Sequence, residues 1–231
     1  YRPYKPKKRT RATIAKEKGL EPLANLILEG EFKGDLLQEA SKYIDEEKGV
    51  EKAEDAVLGA LDIIAEGISE EAKYRKFIRE LVMREGFIES KGSSEETTPY
   101  EMYYDYSEEV RKIPPHRILA INRGEKEKIL SVKITIGEDK IISYLEREII
   151  KGNETTDEQL KLAIRDAYKR LIFPSIEREI RSELTDKGEE GAILIFKENL
   201  KALLMQAPIK GKTVMGYDPG FRTGRSEEHT S

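Results

Sequence analysis

The chain has 231 residues, and its 41 Lys and Arg against 45 Asp and Glu give a formal net charge of −4 at neutral pH. Charged residues make up 37% and hydrophobic residues 38% of the chain, which argues against a membrane-spanning, collagen-like or disulfide-stapled protein. Cysteine is absent, so the sequence holds no disulfide, thiolate nucleophile or zinc–cysteine site, and it fits a cytoplasmic location.

The first eleven residues, YRPYKPKKRTR, carry six cations and no acid. Pro3 and Pro6 disfavour a helix, so we predict an extended basic segment, the strap (residues 1–11). Its cations can neutralise phosphates without reading bases, which predicts non-specific binding of RNA or DNA. The residues predicted to make these contacts are Lys5, Lys7, Lys8, Arg9 and Arg11. The alternative is a solvated strap packed along an acidic helical face.

Both ends of the chain look artificial. The first residue is Tyr1 rather than Met, and no signal-peptide pattern follows it, so we expect the true N-terminus to lie upstream. Residues 225–231, RSEEHTS, match the in-frame translation of a widely used sequencing-library adapter. We interpret them as an artefact and expect them to pack on nothing. His116 is then the one remaining histidine, and we interpret it as structural rather than as a metal ligand.

Residues 13–86 show helical periodicity in four short segments. The first opens at Glu21-Pro22, because proline is favoured in the first turn of a helix. The predicted caps of the second and fourth segments are Asp35 and Ser69, and the predicted ends of the four are Gly30, Gly49, Gly67 and Gly86. Such helices bury their apolar faces only against one another, which predicts a compact bundle containing pairs that resemble helix-turn-helix units.

A polar break at Lys91 to Pro99 precedes four clustered tyrosines, Tyr100, Tyr103, Tyr104 and Tyr106. Such tyrosines can stack on bases, but they more often pack a loop over a core. Ser107, followed by two glutamates, predicts a helix start. Alternating residues at Lys128 to Ile136 then predict a short strand, the one β segment expected in a mainly α body.

The remaining pattern is helical up to a final change near residue 210. We predict a helix over Glu138 to Ile150 and a long helix capped by Thr156 or Asp157. Pro174 predicts an interruption of that helix, and Gly188 and Gly191 predict a joint before a last helix at Ala192 to Leu204. Val214 to Tyr217 then predicts a strand, and Asp218-Pro219-Gly220 a turn, as the opening of an α/β domain.

Four stretches of the chain together resemble the bacterial Tex family of transcription accessory proteins. They are YKPKKRTRATIAKEKGLEPLA from Tyr4, YEMYYDYSEEVRKIPPHRILAINRGEKE from Tyr100, PSIEREIRSEL from Pro174 and KGKTVMGYDPGFRTG from Lys210. The resemblance implies a multidomain nucleic-acid-binding protein with an N-terminal helical region, a YqgF-like ribonuclease H-type domain, helix-hairpin-helix elements and an OB-fold RNA-binding domain. It divides the chain into the helical region (1–209), a truncated start of the YqgF-like domain (210–224) and the adapter-like tail (225–231).

The same resemblance places Asp218 at the first acidic position of a ribonuclease H-like site. In such nucleases this carboxylate helps to hold a divalent metal, but the other acids would lie beyond residue 224, so we predict no activity there. The alternative is that Asp218 caps a turn. The sequence also lacks the P-loop, dinucleotide-binding, zinc-protease and serine-hydrolase motifs.

We therefore expect a non-enzymatic, Tex-like accessory protein that binds RNA or DNA, with this chain as its helical scaffold. Two alternatives stay open: the remnant of a ribonuclease H-like nuclease, and a protein-interaction scaffold for the transcription machinery. No cofactor and no membrane partner is expected from the residues present.

Overall fold

The structure is a computed structural model that describes residues 9–93, 97–207, 210–218 and 225–229. It divides into two compact units, residues 1–189 and 190–231. Most described residues are helical, as predicted, and the strands form a three-stranded and a two-stranded antiparallel sheet. The helices are α1 Arg11–Glu17, α2 Glu21–Glu29, α3 Leu36–Ala40, α4 Ala53–Glu70, α5 Ala72–Glu85, α6 Pro115–Lys126, α7 Asp139–Ile149, α8 Glu154–Asp166 and α9 Phe173–Leu204.

Helix α4 is the centre of the first unit. It packs against α1, α2, α3, α5 and α8, and its buried face includes Ala56, Ala60 and Ile64. Gly59 lies where Leu20 crosses the helix, and a Cβ there would sit 2.3 Å from Leu20 Cδ1. The close approach of Leu20 to α4 therefore depends on glycine at position 59, which has no side chain.

The four predicted N-terminal helices are present, but three of their boundaries were wrong. Helix α4 continues through Gly67 to Glu70, and Glu71 rather than Ser69 caps α5, accepting a hydrogen bond from Lys73 N at 3.4 Å. Glycine lowers helix propensity by only about 1 kcal/mol, so tertiary packing of a long apolar face can carry a helix through it. Helix α3 also ends early, at Ala40, and short 3-10 turns follow it.

The three-stranded sheet has the order β2-β1-β3, with β1 Phe87–Gly92, β2 Asp105–Glu109 and β3 Leu130–Thr135. The strand predicted near Lys128 to Ile136 is confirmed as β3. The helix start predicted at Ser107 was wrong, because that residue lies in β2 opposite Glu89 of β1. Strand β1 itself was not predicted. Ile88 is buried and faces Ile134 across the β1–β3 pair, which fixes the register.

The helices of the C-terminal half form one long run rather than three segments. Asn153, not Thr156 or Asp157, caps α8 by accepting from Thr155 N at 3.0 Å. The interruption predicted near Pro174 takes the form of a π-helical turn, Ala167–Ile172, directly before α9. Proline lacks the N–H of an ordinary helical hydrogen bond, and a local change of helix type accommodates that loss. The predicted joint at Gly188 and Gly191 was wrong, since α9 continues to Leu204.

The second unit contains the end of α9 and a two-stranded sheet of β4 Val214–Asp218 and β5 Arg225–His229. The strand predicted at Val214 to Tyr217 is confirmed as β4. The expectation that residues after Gly224 pack on nothing was wrong, because Arg225 to His229 pair with β4 in an antiparallel register. Any non-proline backbone can pair with an open strand edge, whatever the origin of its side chains. Pro219, Gly220 and Gly224 lie outside the described residues.

Candidate nucleic-acid interface

The described part of the strap leads directly into α1, and the extended conformation predicted for the whole strap was wrong at Arg11, which is the first residue of that helix. Lys5, Lys7 and Lys8 lie outside the described residues, whereas Arg9 and Arg11 are both described and exposed. Thr10 caps the helix, with its hydroxyl accepting from Thr13 N at 3.0 Å. The cap places the two arginines on either side of the helix start.

Both described arginines lie near acids. Arg9 Nη2 is 2.5 Å from Glu17 Oε2, and both side chains are more than half exposed. An exposed pair of this kind contributes only about 0–1 kcal/mol. Arg11 lines the same cavity as Asp62 of α4. Burial raises the pKa of the Asp62 carboxyl, and the charges of Arg170 and Arg11 partly offset that rise. Neither arginine is therefore held by a strong ion pair.

The cavity beside Arg11 lies between α1 and α4 and has a volume of about 490 Å³. Two cations, Arg11 and Lys18, and three acids, Glu51, Asp55 and Asp62, line it. Lys18 is engaged, because its ammonium donates to the carbonyl of Gly49 at 2.7 Å. The excess of acids makes the cavity a poor phosphate site. It supplies the kind of acidic helical face that the alternative interpretation of the strap requires.

The four clustered tyrosines are part of the packed body of the first unit. Tyr100 and Tyr103 are 8% and 5% exposed. Tyr103 meets Tyr106 edge to face at 5.3 Å between ring centroids, and the Tyr106 hydroxyl contacts Glu108. The ring of Tyr104 covers Gly92, where a Cβ would lie 2.6 Å from the ring. The packing interpretation is thus confirmed, since the faces of Tyr100 and Tyr103 are closed to bases.

The ion pairs around PSIEREIRSEL were not predicted, and they give this stretch a structural role. Arg79 of α5 donates to Glu179 at 2.6 Å and to Glu183 at 2.5 Å. Arg181 donates to Glu125 of α6 at 2.5 Å, and Glu177 accepts from Ile134 N of β3 at 2.6 Å. The charged side chains of α9 therefore tie together α5, α6 and the sheet. No spacing within the stretch could have revealed partners so distant in sequence.

A further arginine closes the π-helical turn onto α4. Arg170 donates to Asp166 one turn away and to Asp62 at 2.9 Å. The hydrogen bonds to these two carboxylates stabilise the contact between the π-helical turn and α4, because charge-assisted bonds are stronger than neutral ones. The Asp166–Arg170 spacing of four residues is visible in the sequence, but the link to Asp62 is not.

The other predicted site residues lie apart from the strap. His116 is exposed in the first turn of α6. Asp218 is the last residue of β4, where its backbone pairs with Arg225, and its ribonuclease H-like role stays a prediction. Among the residues that the structure describes, no group of three or more His, Asp or Glu is arranged to hold a metal ion. In the same residues, every helix is too short or too polar to span a bilayer.

Comparison with known proteins identifies the family. The profile of the Tex central region-like family matches residues 33–196. The chain is 53% identical over 229 residues to YdcI of Bacillus subtilis, a match that covers 97% of this chain and 32% of that protein. It is 35% identical over 243 residues to Protein tex of Bordetella pertussis, covering 97% and 30%. It is 33% identical over 240 residues to human S1 RNA-binding domain-containing protein 1, covering 96% and 24%.

The chain therefore spans about a third or less of the length of these relatives. The family profile nevertheless covers most of the chain, from just before α3 to residue 196 within α9. On this match, the chain belongs to the Tex family and contains its central region.

Proposed function

We propose that this chain is the helical scaffold of a nucleic-acid-binding transcription accessory protein, and that its strap adds a non-specific phosphate contact. The observation that carries the proposal is the charge contrast along the chain. The strap has six cations and no acid, which leaves 35 basic and 45 acidic residues, a net charge of −10, for the rest. A polyanion is therefore attracted to one end of the chain and repelled by the remainder.

Two further observations support the proposal. The ion pairs of Arg79, Arg170 and Arg181 join helices of the first unit, as a scaffold requires. The relatives include a protein named for an S1 RNA-binding domain and one named a transcriptional accessory protein. We propose RNA or DNA, the transcription machinery and the cytoplasm as the partners and location of the whole protein.

The test is the salt dependence of binding to a fluorescein-labelled single-stranded RNA, followed by fluorescence anisotropy. Four to five phosphate contacts predict a slope of log K against log salt of roughly −3, with weak binding at physiological salt. Replacing Lys5, Lys7, Lys8, Arg9 and Arg11 with Ala should abolish binding. The matched control replaces five exposed cations elsewhere, Lys33, Lys52, Lys76, Lys126 and Arg165, with Ala.

The control changes the net charge by the same amount and should keep most of the affinity. If the control loses as much affinity as the strap variant, net charge rather than the strap governs binding. If the strap variant binds with an unchanged slope, the contacts lie elsewhere in the chain. The proposal gives the chain no catalytic step, so Mg²⁺-dependent RNA cleavage that Asp218→Asn abolishes would contradict it in favour of the nuclease alternative.

A further inference from the structure

The last part of α9 exposes an unusual amount of apolar surface. Eight large apolar side chains between Ile193 and Met205, which we call the apolar end of α9 (residues 193–205), are 40–76% exposed. Soluble monomers rarely expose contiguous apolar patches of more than a few hundred Å² without a functional reason. The preceding part of the same helix buries its apolar residues, Ile176, Ile180 and Leu184. The apolar end is therefore a surface that lacks its cover.

The sequence of the apolar end indicates what kind of cover fits it. Ile193, Phe196, Leu200 and Leu203 follow the three–four spacing of one helix face. Residues 193–196 are four consecutive large apolar side chains, and at about 100° per residue they point to all sides of the helix. A helix that is apolar all round is buried on all sides. A single partner helix would cover one stripe and leave the rest of this turn in water.

Two other occupants fit less well. A coiled coil with a second copy needs apolar heptads sustained over about three to four repeats, whereas the stripe from Ile193 to Leu203 has one and a half. A membrane span needs about 20 apolar residues, and the apolar end is shorter and carries Lys197, Glu198 and Lys201. A folded polypeptide that surrounds the apolar end therefore fits it better than a second copy or a membrane.

The relatives have enough further chain to supply such a cover. The match to YdcI covers 97% of this chain, so only about seven residues lie outside it, too few to exclude the apolar end. The matched segment is 32% of YdcI, so about two thirds of that protein lies elsewhere. We infer that the apolar end of α9 is an intramolecular docking site, covered on several sides by the polypeptide that Tex-family proteins carry outside the region matched here. This inference does not depend on nucleic-acid binding.

Cysteine labelling tests the docking site, because this chain has no cysteine. Phe196→Cys and the control Leu162→Cys replace side chains that are 67% and 56% exposed, so in this chain a maleimide should label both at similar rates. The same two substitutions are made at the aligned positions of full-length, cysteine-free YdcI. There we expect labelling at the first position to be roughly 100-fold slower than at the second, because local opening must precede it.

Equal labelling of both positions in full-length YdcI would overturn the inference. So would slow labelling of Phe196→Cys in this chain, if light scattering gave the mass of a dimer and dilution restored the rate. That result would assign the surface to a second copy.

A charge substitution gives an independent readout, because it should change the Tm of one protein and not of the other. The double substitution Ile195→Glu with Leu203→Glu should leave the Tm of this chain unchanged and reduce its precipitation, because the two residues are 62% and 60% exposed. The aligned pair in full-length YdcI should lower the Tm by several degrees or prevent folding, since it buries two charges. Leu162→Glu should leave the Tm of both proteins unchanged. An unchanged Tm of the double variant in YdcI would overturn the inference.

Discussion

The two parts of α9 differ in apolar content and in surroundings, and the part richer in apolar residues is the exposed one. Between Phe173 and Gly188 the helix buries Ile176, Ile180 and Leu184, and its charged residues pair with α5 and α6. From Ile193 onward its large apolar residues are exposed. Helical periodicity thus predicts the helical segments but not their continuation as one helix, and burial depends on which other segments are available to cover each face.

The largest expected effect comes from replacing one isoleucine with alanine in each of the two parts of α9. Ile180 is 0% exposed and Ile193 is 65% exposed. Ile180→Ala should lower the free energy of unfolding by about 2–5 kcal/mol, since it removes buried methyl groups and leaves a cavity. Ile193→Ala should change it by less than about 0.5 kcal/mol. Urea unfolding followed by circular dichroism measures both values, and similar losses for the two variants would refute the contrast.

The effect of substituting a glycine inside a helix also depends on what surrounds that position. A Cβ at Gly124 of α6 would lie 2.7 Å from Leu130 Cδ1, whereas a Cβ at Gly67 of α4 would meet nothing within 4 Å. Gly124→Ala should therefore destabilise the first unit by about 1–3 kcal/mol through overpacking. Gly67→Ala should stabilise it by up to about 1 kcal/mol through helix propensity. Thermal unfolding of both variants decides the point, and a gain for Gly124→Ala would show that Leu130 repacks freely.

These cases also show which parts of the fold local sequence could predict. Helix α2 ends at Gly30 as predicted, because Gly30 takes the left-handed conformation that ends helices. Helix α7 and strand β3 likewise follow their apolar periodicity. Strand β2 was mispredicted, because Ser107 and its neighbouring acids favour a helix start locally and become a strand only by pairing with β1.

The candidate site was predictable in residue type but not in geometry. The cationic strap is evident from composition, yet the acidic cavity beside Arg11 is formed by residues up to Asp62, brought there by the packing of α1 on α4. The partners of Arg79, Glu179 and Glu183, are 100 and 104 residues away. No local pattern encodes such pairs, because tertiary packing creates them.

The smallest expected effect concerns the pH dependence of two carboxylates that the fold treats in opposite ways. The Lys187 ammonium, and the charge of Arg79 behind it, hold the pKa of Glu183 below its ordinary value of 4.5. Burial raises the pKa of Asp62 above its ordinary value of 3.8. Glu183 therefore contributes stability above pH 4.5 that is lost as the pH falls through its lowered pKa. Asp62 contributes stability at low pH that is lost as the pH rises through its raised pKa.

Titration of the side-chain carboxyl ¹³C resonances should resolve both midpoints and give them opposite displacements. Lys187→Ala should move the midpoint of Glu183 back toward 4.5, because it removes the hydrogen bond at 2.7 Å. It should cost less than about 1 kcal/mol of stability, as expected for an exposed pair. Lys161→Ala removes a comparable pair with Glu158 on α8 and should leave Glu183 unchanged. A Glu183 midpoint that stays unchanged in Lys187→Ala would show that the Lys187 ion pair does not lower the pKa of this carboxylate.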